Sequence, residues 1–335
     1  MHTTELNLRL DQAIHRYGEN AGALTPASRH HLATPGKRTR SRLLFTASPS
    51  PKNIELLVHA AAAVELIHEA SIVHDDIQDR TDVRRGNTSV WKEFGANTAL
   101  LLGDHLVSAA FRAIAEVDTA PGLQGKLFIM LSQAISKAAS GQHLQLSADY
   151  LSHDLQTTYN NVAISKTGAF IALPLQFSNL LGYEEILDPE PARKCGEQLG
   201  FAYQILDDLR PFLDPTTLAT DEDMLDRIVT APVAAMHTLS PDRDPFTALL
   251  QQQQLRDSAV ELCKSWLSEA LLEATQFASQ LPEHSGAVIS QFIETTFTAH
   301  TTENNESPLT TKSSQLLISE GRYKPWRVQG NTSSI

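Results

Sequence analysis

Apolar positions along the chain recur mostly at helical spacing. Ile54, Leu57, Val58, Ala61, Val64 and His68 step by three and four residues, and the alanines at 60–63 suit close packing of one helix on another. The same period predicts long apolar helices over 98–115, 127–139, 161–181, 192–209 and 259–280. Alternating, strand-type stretches are few, so the expected fold class is all-α. Turn-forming residues break the pattern at Ser48–Pro51, at Asp118–Gly122, at Asp188–Pro191 and across Pro211–Pro245, where acidic residues and prolines interrupt the period. None of these breaks has the length or blandness of an interdomain linker, so residues 1–300 are expected to form one helical domain. Residues 301–335 are rich in Ser, Thr and Asn and are expected to be a disordered tail. The basic and aromatic run Arg322–Arg327 belongs to that tail, with a lid over the site as the minority alternative. Gln251–Gln254 reads as a solvated helix face.

Composition narrows the function classes. Of 335 residues 41% are hydrophobic, which excludes wholesale disorder, and 27 Lys plus Arg against 39 Asp plus Glu give a net charge of −12. A general polyanion-binding surface is therefore excluded, nucleic acid included, and an anionic ligand must meet a local cluster of positive charge. Two cysteines, Cys195 and Cys263, make no disulfide framework and read as small core residues. The opening residues carry acidic and polar side chains where a signal peptide needs an apolar run, so a cytoplasmic protein is expected. No run of 18 apolar residues is present, and no membrane span is expected.

The chemistry concentrates in ELIHEASIVHDDIQDRTDVRRG, residues 65–86. On a helix Asp75 and Asp79 share a face, with Asp76 about 100° round. Stacked carboxylates repel in isolation, and the arrangement becomes favourable when a hard cation is bound by both. A solvated ion-pair surface is the competing explanation for this acidic motif alone. Arg84 and Arg85, ending at Gly86, add fork-shaped phosphate donors one or two turns further on. A basic element, Gly36-Lys37-Arg38-Thr39-Arg40, lies upstream, and a second acidic element, Gln204-Ile205-Leu206-Asp207-Asp208, lies downstream. His74 and His30-His31 read as packing or helix-end residues rather than metal ligands.

Taken together, GKRTR at 36–40, ELIHEASIVHDDIQD at 65–79, RRG at 84–86, GD at 103–104, GQHLQ at 141–145, KTG at 166–168 and GFAYQILDD at 200–208 resemble the trans-isoprenyl diphosphate synthases. The resemblance covers roughly residues 25–300 in order and spacing. It implies an isoprenoid-synthase-type bundle of antiparallel helices around a deep central cavity, with two Asp-rich motifs facing each other across its mouth. It implies Asp75, Asp79 and Asp207 as Mg²⁺ ligands, supported by Asp76 and Asp208. Arg84 and Lys166 resemble the residues that hold an allylic diphosphate, and Lys37, Arg40, His68 and Arg85 those that hold isopentenyl diphosphate. Thr167 and Gln204 occupy positions facing the developing allylic cation. A homodimer is the family's habit. Small residues at Ala70 and Ser71, where the family uses aromatic rings to stop growth at C15, imply a product of C20 or longer. The alternative is a floor set deeper, at Phe111 or Phe128.

The chain also departs from the family. Pro211 stands where the fifth residue of the second motif is Asp, and proline disfavours helical geometry at Arg210. Ile228 stands where a phosphate-binding lysine is expected, with Arg227 one position out of register. Three functions stay open at this point: a prenyl diphosphate synthase, a terpene-cyclase-like activity on one prenyl diphosphate, and a non-catalytic partner subunit of a synthase. The four residues of the isopentenyl pocket favour the first.

Overall fold

The computed structural model describes residues 3–148, 154–183, 187–213 and 218–301, so the expected tail lies outside the described residues beyond Thr301. The first half holds α1 (Thr3–Gly18), α2 (Thr25–Leu32), α3 (Thr39–Thr46), α4 (Ile54–Gln78), α5 (Val90–Phe94), α6 (Ala96–Ala115) and α7 (Pro121–Ser147). The second holds α8 (Leu155–Ala163), α9 (Ala169–Leu181), α10 (Pro189–Leu209), α11 (Glu222–Leu225), α12 (Ala231–Leu239), α13 (Pro245–Gln251), α14 (Gln253–Ala278) and α15 (Glu283–Thr301). The expected all-α class holds. The described strands are β1 (Val83–Arg84) and β2 (Asn87–Thr88), an antiparallel hairpin pairing Val83 with Thr88 and Arg84 with Asn87.

The central helix is α4. The Asn53 side chain caps it by accepting from the Leu56 N–H at 3.0 Å, and every residue from Leu56 to Ala70 is buried. A helix apolar all round belongs in a core, and α4 is packed by α6, α1, α3 and α9. Two apolar clusters result, one among α1, α4, α6 and α7, the other among α8, α10 and α12–α15. Helix α9 joins them, because Phe170, Leu173 and Phe177 face the first while Ile171 and Leu175 face the second. Among the described residues, two helices are long and apolar enough to cross a membrane by length and composition. Of these, α4 is 94% buried inside the fold over its most apolar stretch, as a core helix is, whereas α6 is 44% buried.

Some breaks in the sequence are starts rather than interruptions. Pro121, Pro232 and Pro245 lie in the first turns of α7, α12 and α13, where the missing N–H costs nothing. The stretch 211–245 thus contains two helices and the start of a third. Gln252 is the extended joint between α13 and α14 and not part of a helix face. Cys195 and Cys263 are buried, as expected.

Candidate active site

Both acidic motifs stand at the C-terminal ends of helices. Asp75 and Asp76 lie in the last turn of α4, and Asp79 is its C-cap, with its N–H donating to the Asp75 carbonyl at 2.8 Å. Asp207 and Asp208 lie in the last turn of α10, and neither last turn holds a basic residue. Carboxylates at the negative end of a helix dipole are unfavourable without a cation. Asp75 and Asp207 line one cavity of about 930 Å³ from opposite helices, and Lys37, Arg40, His68, Arg84 and Arg85 line the same cavity. Among the described residues no three carboxylate, imidazole or thiol groups converge as a ready-made metal cage. Mg²⁺ characteristically takes one or two carboxylates and completes its shell with water and substrate phosphate, so this donor set fits it.

Behind the mouth is an apolar cavity of about 330 Å³, lined by Ala70, Ser71, Val107, Ile135, Ala138 and Phe170. Arg40, His68, Asp75 and Thr167 line both spaces, so the charged mouth opens onto the apolar pocket. Phe111 and Phe128 do not line it; their rings pack 5.7 Å apart, one turn beyond Val107 on α6 and two turns from Ile135 on α7. His74 borders the pocket, with Nε2 3.3 Å from the Leu100 carbonyl. A Cβ on Gly103 would come within 2.0 Å of that ring, which explains the glycine.

Lys166 and Thr167 come from a π-helical turn, Ile164–Gly168, between α8 and α9. Such turns are rare and cluster at functional sites. The turn is wedged between helices: a Cβ on Gly141 would lie 2.8 Å from the Lys166 N, and one on Gly200 would lie 2.4 Å from the Gly168 Cα. That contact with α10 lets Thr167 Oγ1 donate to Gln204 Oε1 at 2.8 Å, while Gln204 Nε2 donates to Asp208 Oδ1 at 2.9 Å. Asp208 Oδ2 accepts from the Ala231 N–H at 2.9 Å, so it also satisfies the start of α12. Burial pushes the Asp208 carboxyl up to about 7, against its hydrogen bonds from Ala231, Gln204 and Tyr159. Asp208 therefore turns inward and reaches the mouth only through Gln204. Lys166 is 6% exposed and donates to Gln145 Oε1 at 2.9 Å. Burial lowers its ammonium to about 8, against the charges of Asp75, Asp79 and Asp223.

The arginines are arranged differently from a run of helical turns. Helix α4 stops at Gln78, and Arg84 lies on a strand from which Nε donates to Asp76 Oδ1 at 2.8 Å. Burial raises the Asp76 carboxyl while Arg84 opposes the rise. Arg85 and Gly86 form the hairpin turn with φ of 51° and 82°. The sequence reading missed Glu65 and Glu69, both buried on α4; two acids four apart inside an apolar run were the available signal. Arg38, Lys37's neighbour, has φ of 54° and caps α3, and Glu65 Oε1 accepts the Ser41 N–H in the first turn at 2.9 Å.

The two departures from the family lie together. Pro211 and Ile228 line a third cavity of about 410 Å³ with Lys166, Asp207, Asp208 and Asp223. Proline ends α10 at Leu209, yet Arg210 keeps helical angles and leads a 3₁₀ turn, Arg210–Leu213. Arg227 does not replace the lysine, because it stacks 4.4 Å from the Phe246 ring centroid and pairs with Asp244. The cation in this cavity that the sequence reading missed is Arg210, with Nη2 2.7 Å from Asp207 Oδ1.

Comparisons with known proteins identify the family and the fold. The family profile described as Polyprenyl synthetase matches residues 22–267, and the chain belongs to that family. A geranylgeranyl diphosphate synthase of Methanosarcina mazei is 31% identical over 57% of this chain and 60% of the relative. An all-trans-nonaprenyl-diphosphate synthase, described as geranyl-diphosphate specific, from Rhodobacter capsulatus is 28% identical over 82% of this chain and 88% of the relative. The chain spans about 60% of the length of the first curated relatives it matches. The solved structure of a geranylgeranyl pyrophosphate synthetase from Pyrococcus horikoshii superposes with a TM-score of 0.75 at 23% identity, covering 87% of this chain and 95% of that one, and shows the shared fold.

Proposed function

We propose that the protein condenses isopentenyl diphosphate head-to-tail with an allylic diphosphate, making a prenyl diphosphate of C20 or longer. The observation that carries this reading is the joining of a charged mouth, acidic on two helix ends and basic on the loops between, to an apolar pocket. A diphosphate with a long hydrocarbon tail matches both halves. Asp75, Asp79 and Asp207 would hold Mg²⁺, which supplies the positive charge needed as the diphosphate departs. Lys166 and Arg84 bind the leaving allylic diphosphate, and the buried position of Lys166 strengthens its field there. The Thr167 hydroxyl and Gln204 carbonyl, hydrogen-bonded to each other at 2.8 Å, supply the oxygens that would face the allylic carbon as its C–O bond breaks. Lys37, Arg40, His68 and Arg85 orient isopentenyl diphosphate so that its double bond forms the new C–C bond, after which the resulting carbocation gives up a proton to the released diphosphate and a double bond is restored.

Small side chains at Ala70 and Ser71 on the pocket wall support a long product. Residues 1–300 act as one helical unit in this reading. Leu100 and Leu101 on α6 and Ile129 on α7 are 51%, 55% and 59% exposed, apolar side chains that a homodimer would cover. The test is mass spectrometry of products after incubation with isopentenyl diphosphate, Mg²⁺ and each of the C5, C10, C15 and C20 allylic diphosphates. Chain-elongated diphosphates support the proposal. A cyclised hydrocarbon from one substrate supports the cyclase alternative, and binding without turnover supports a partner subunit.

A further inference from the structure

Glu69 lines none of the three cavities, yet it ties together the segments that supply the basic side of the mouth. It is 1% exposed. Arg85 Nη1 donates to both of its oxygens at 3.1 Å, Arg38 Nη1 donates to Oε1 at 3.2 Å, and His31 Nε2 lies 2.9 Å from Oε2. Burial acts to raise its carboxyl, but the hydrogen bond from His31 and the charges of His31, Arg85 and His68 outweigh this and hold it well below the usual range. The carboxylate is therefore ionised and is shared by an imidazole and two guanidiniums from three segments: α2, the loop before α3, and the β1–β2 turn.

Two of those segments are held in costly backbone conformations. Arg38 and Arg85 have φ of 54° and 51°, a region that bulky L-residues avoid. The turn at Arg85-Gly86, with both φ positive, is one that ordinarily selects Asn, Asp or Gly at its first position. Such conformations persist where the surroundings over-determine them. Here Glu69 does so for both arginines, and Arg85 Nη1 also donates to the Thr34 carbonyl at 3.0 Å, tying the turn to the loop before α3. Lys37 precedes Arg38 on that loop and Arg40 follows in the first turn of α3, and both line the mouth beside Arg85.

We propose that Glu69 is the positioning residue of the isopentenyl diphosphate subsite, fixing the 34–40 loop and the Arg85 turn so that Lys37, Arg40 and Arg85 converge on one diphosphate. The proposal rests on the condensation reading above and adds a residue to it. Lys166, Thr167 and Asp207 stand on the π turn and α10, outside the cluster, and Arg84, though next to Arg85 in the hairpin, is held separately by Asp76, so the effect falls mainly on one substrate.

The experiment compares steady-state kinetics of the wild type, Glu69→Gln and Glu69→Asp, varying isopentenyl diphosphate and the allylic diphosphate separately. Glu69→Gln raises the KM for isopentenyl diphosphate by about tenfold or more, as misplacement of binding groups does, while the allylic KM stays within about twofold. Glu69→Asp, which keeps the charge and retracts it by one methylene, is intermediate. Equal rises in both KM values, an unchanged isopentenyl KM, or loss of folding in both variants by circular dichroism overturns the proposal. If the wild type forms no product, the condensation reading fails by itself. Calorimetric titration of inorganic pyrophosphate in EDTA then still decides the clamp: binding about tenfold weaker in Glu69→Gln supports it, and equal binding overturns it.

Discussion

Lys166→Met is expected to make the protein more stable and less active, and the two effects come from the same burial. The ammonium is 6% exposed, and its fall from 10.5 to about 8 corresponds to about 3 kcal/mol of folding penalty on the charged form. Below pH 8 both folded and unfolded chains carry the proton, and the penalty is present in full. Between pH 8 and 10.5 the folded state gives up its proton first, so the unfolded state binds more protons and stability rises with pH. Methionine fills nearly the same space without the charge. Urea denaturation at pH 7 in EDTA should therefore show Lys166→Met more stable by up to about 3 kcal/mol, less what is lost with the Gln145 hydrogen bond. The gap should close as the pH approaches 10. The same variant should lose about tenfold to a hundredfold in kcat/KM for the allylic diphosphate, the worth of one charged hydrogen bond. In the wild type, kcat/KM should decline above about pH 8, as the free enzyme loses this proton. A variant less stable than the wild type at pH 7, or a stability gap that does not change with pH, would refute the assignment of a desolvated ammonium.

Asp75→Ala should lower kcat by at least about a hundredfold in Mg²⁺ without lowering the melting temperature, since it removes a carboxylate from the negative end of α4; full activity would sink the metal assignment. Pro211→Asp with Ile228→Lys restores two charged groups to one cavity and should lower the allylic KM, each contact being worth on the order of 1.5–3 kcal/mol; loss of activity would show that Arg210 has taken over the geometry. Ala70→Phe projects a ring into the apolar pocket and should shift the products toward C15 by mass spectrometry with the first condensations retained. An unchanged product length would place the floor deeper, toward Phe111 and Phe128.

Helix content and the all-α class were legible in the sequence because burial of a helix face imposes a period that survives any tertiary arrangement. The acidic and basic motifs were legible for a related reason. Asp75 and Asp79 sit close in sequence, and helical spacing puts them on one face without help from the rest of the fold, whereas Lys166 and Thr167 were legible only through the family resemblance. Contacts across the fold were not legible. That Asp208 turns inward to the start of α12 depends on where Ala231 lies, and the spacing of Asp207 and Asp208 says nothing of it. Arg84 folds back onto Asp76 because α4 ends and a hairpin begins, an outcome decided by the left-handed turns at Arg80 and Arg85. Arg227 was the sequence's candidate for the missing cation, and only the approach of Phe246 and Asp244 removed it, while Arg210 entered the cavity beside Asp207 without any signal in the sequence. Glu69 stayed hidden for the same reason: Glu65 and Glu69 stand out in an apolar run but have no local partner, and the groups that meet Glu69 arrive from residues 31, 38 and 85 only when three segments fold onto α4. Sequence fixes what neighbours along a helix share, and tertiary packing alone decides which distant charges neutralise one another.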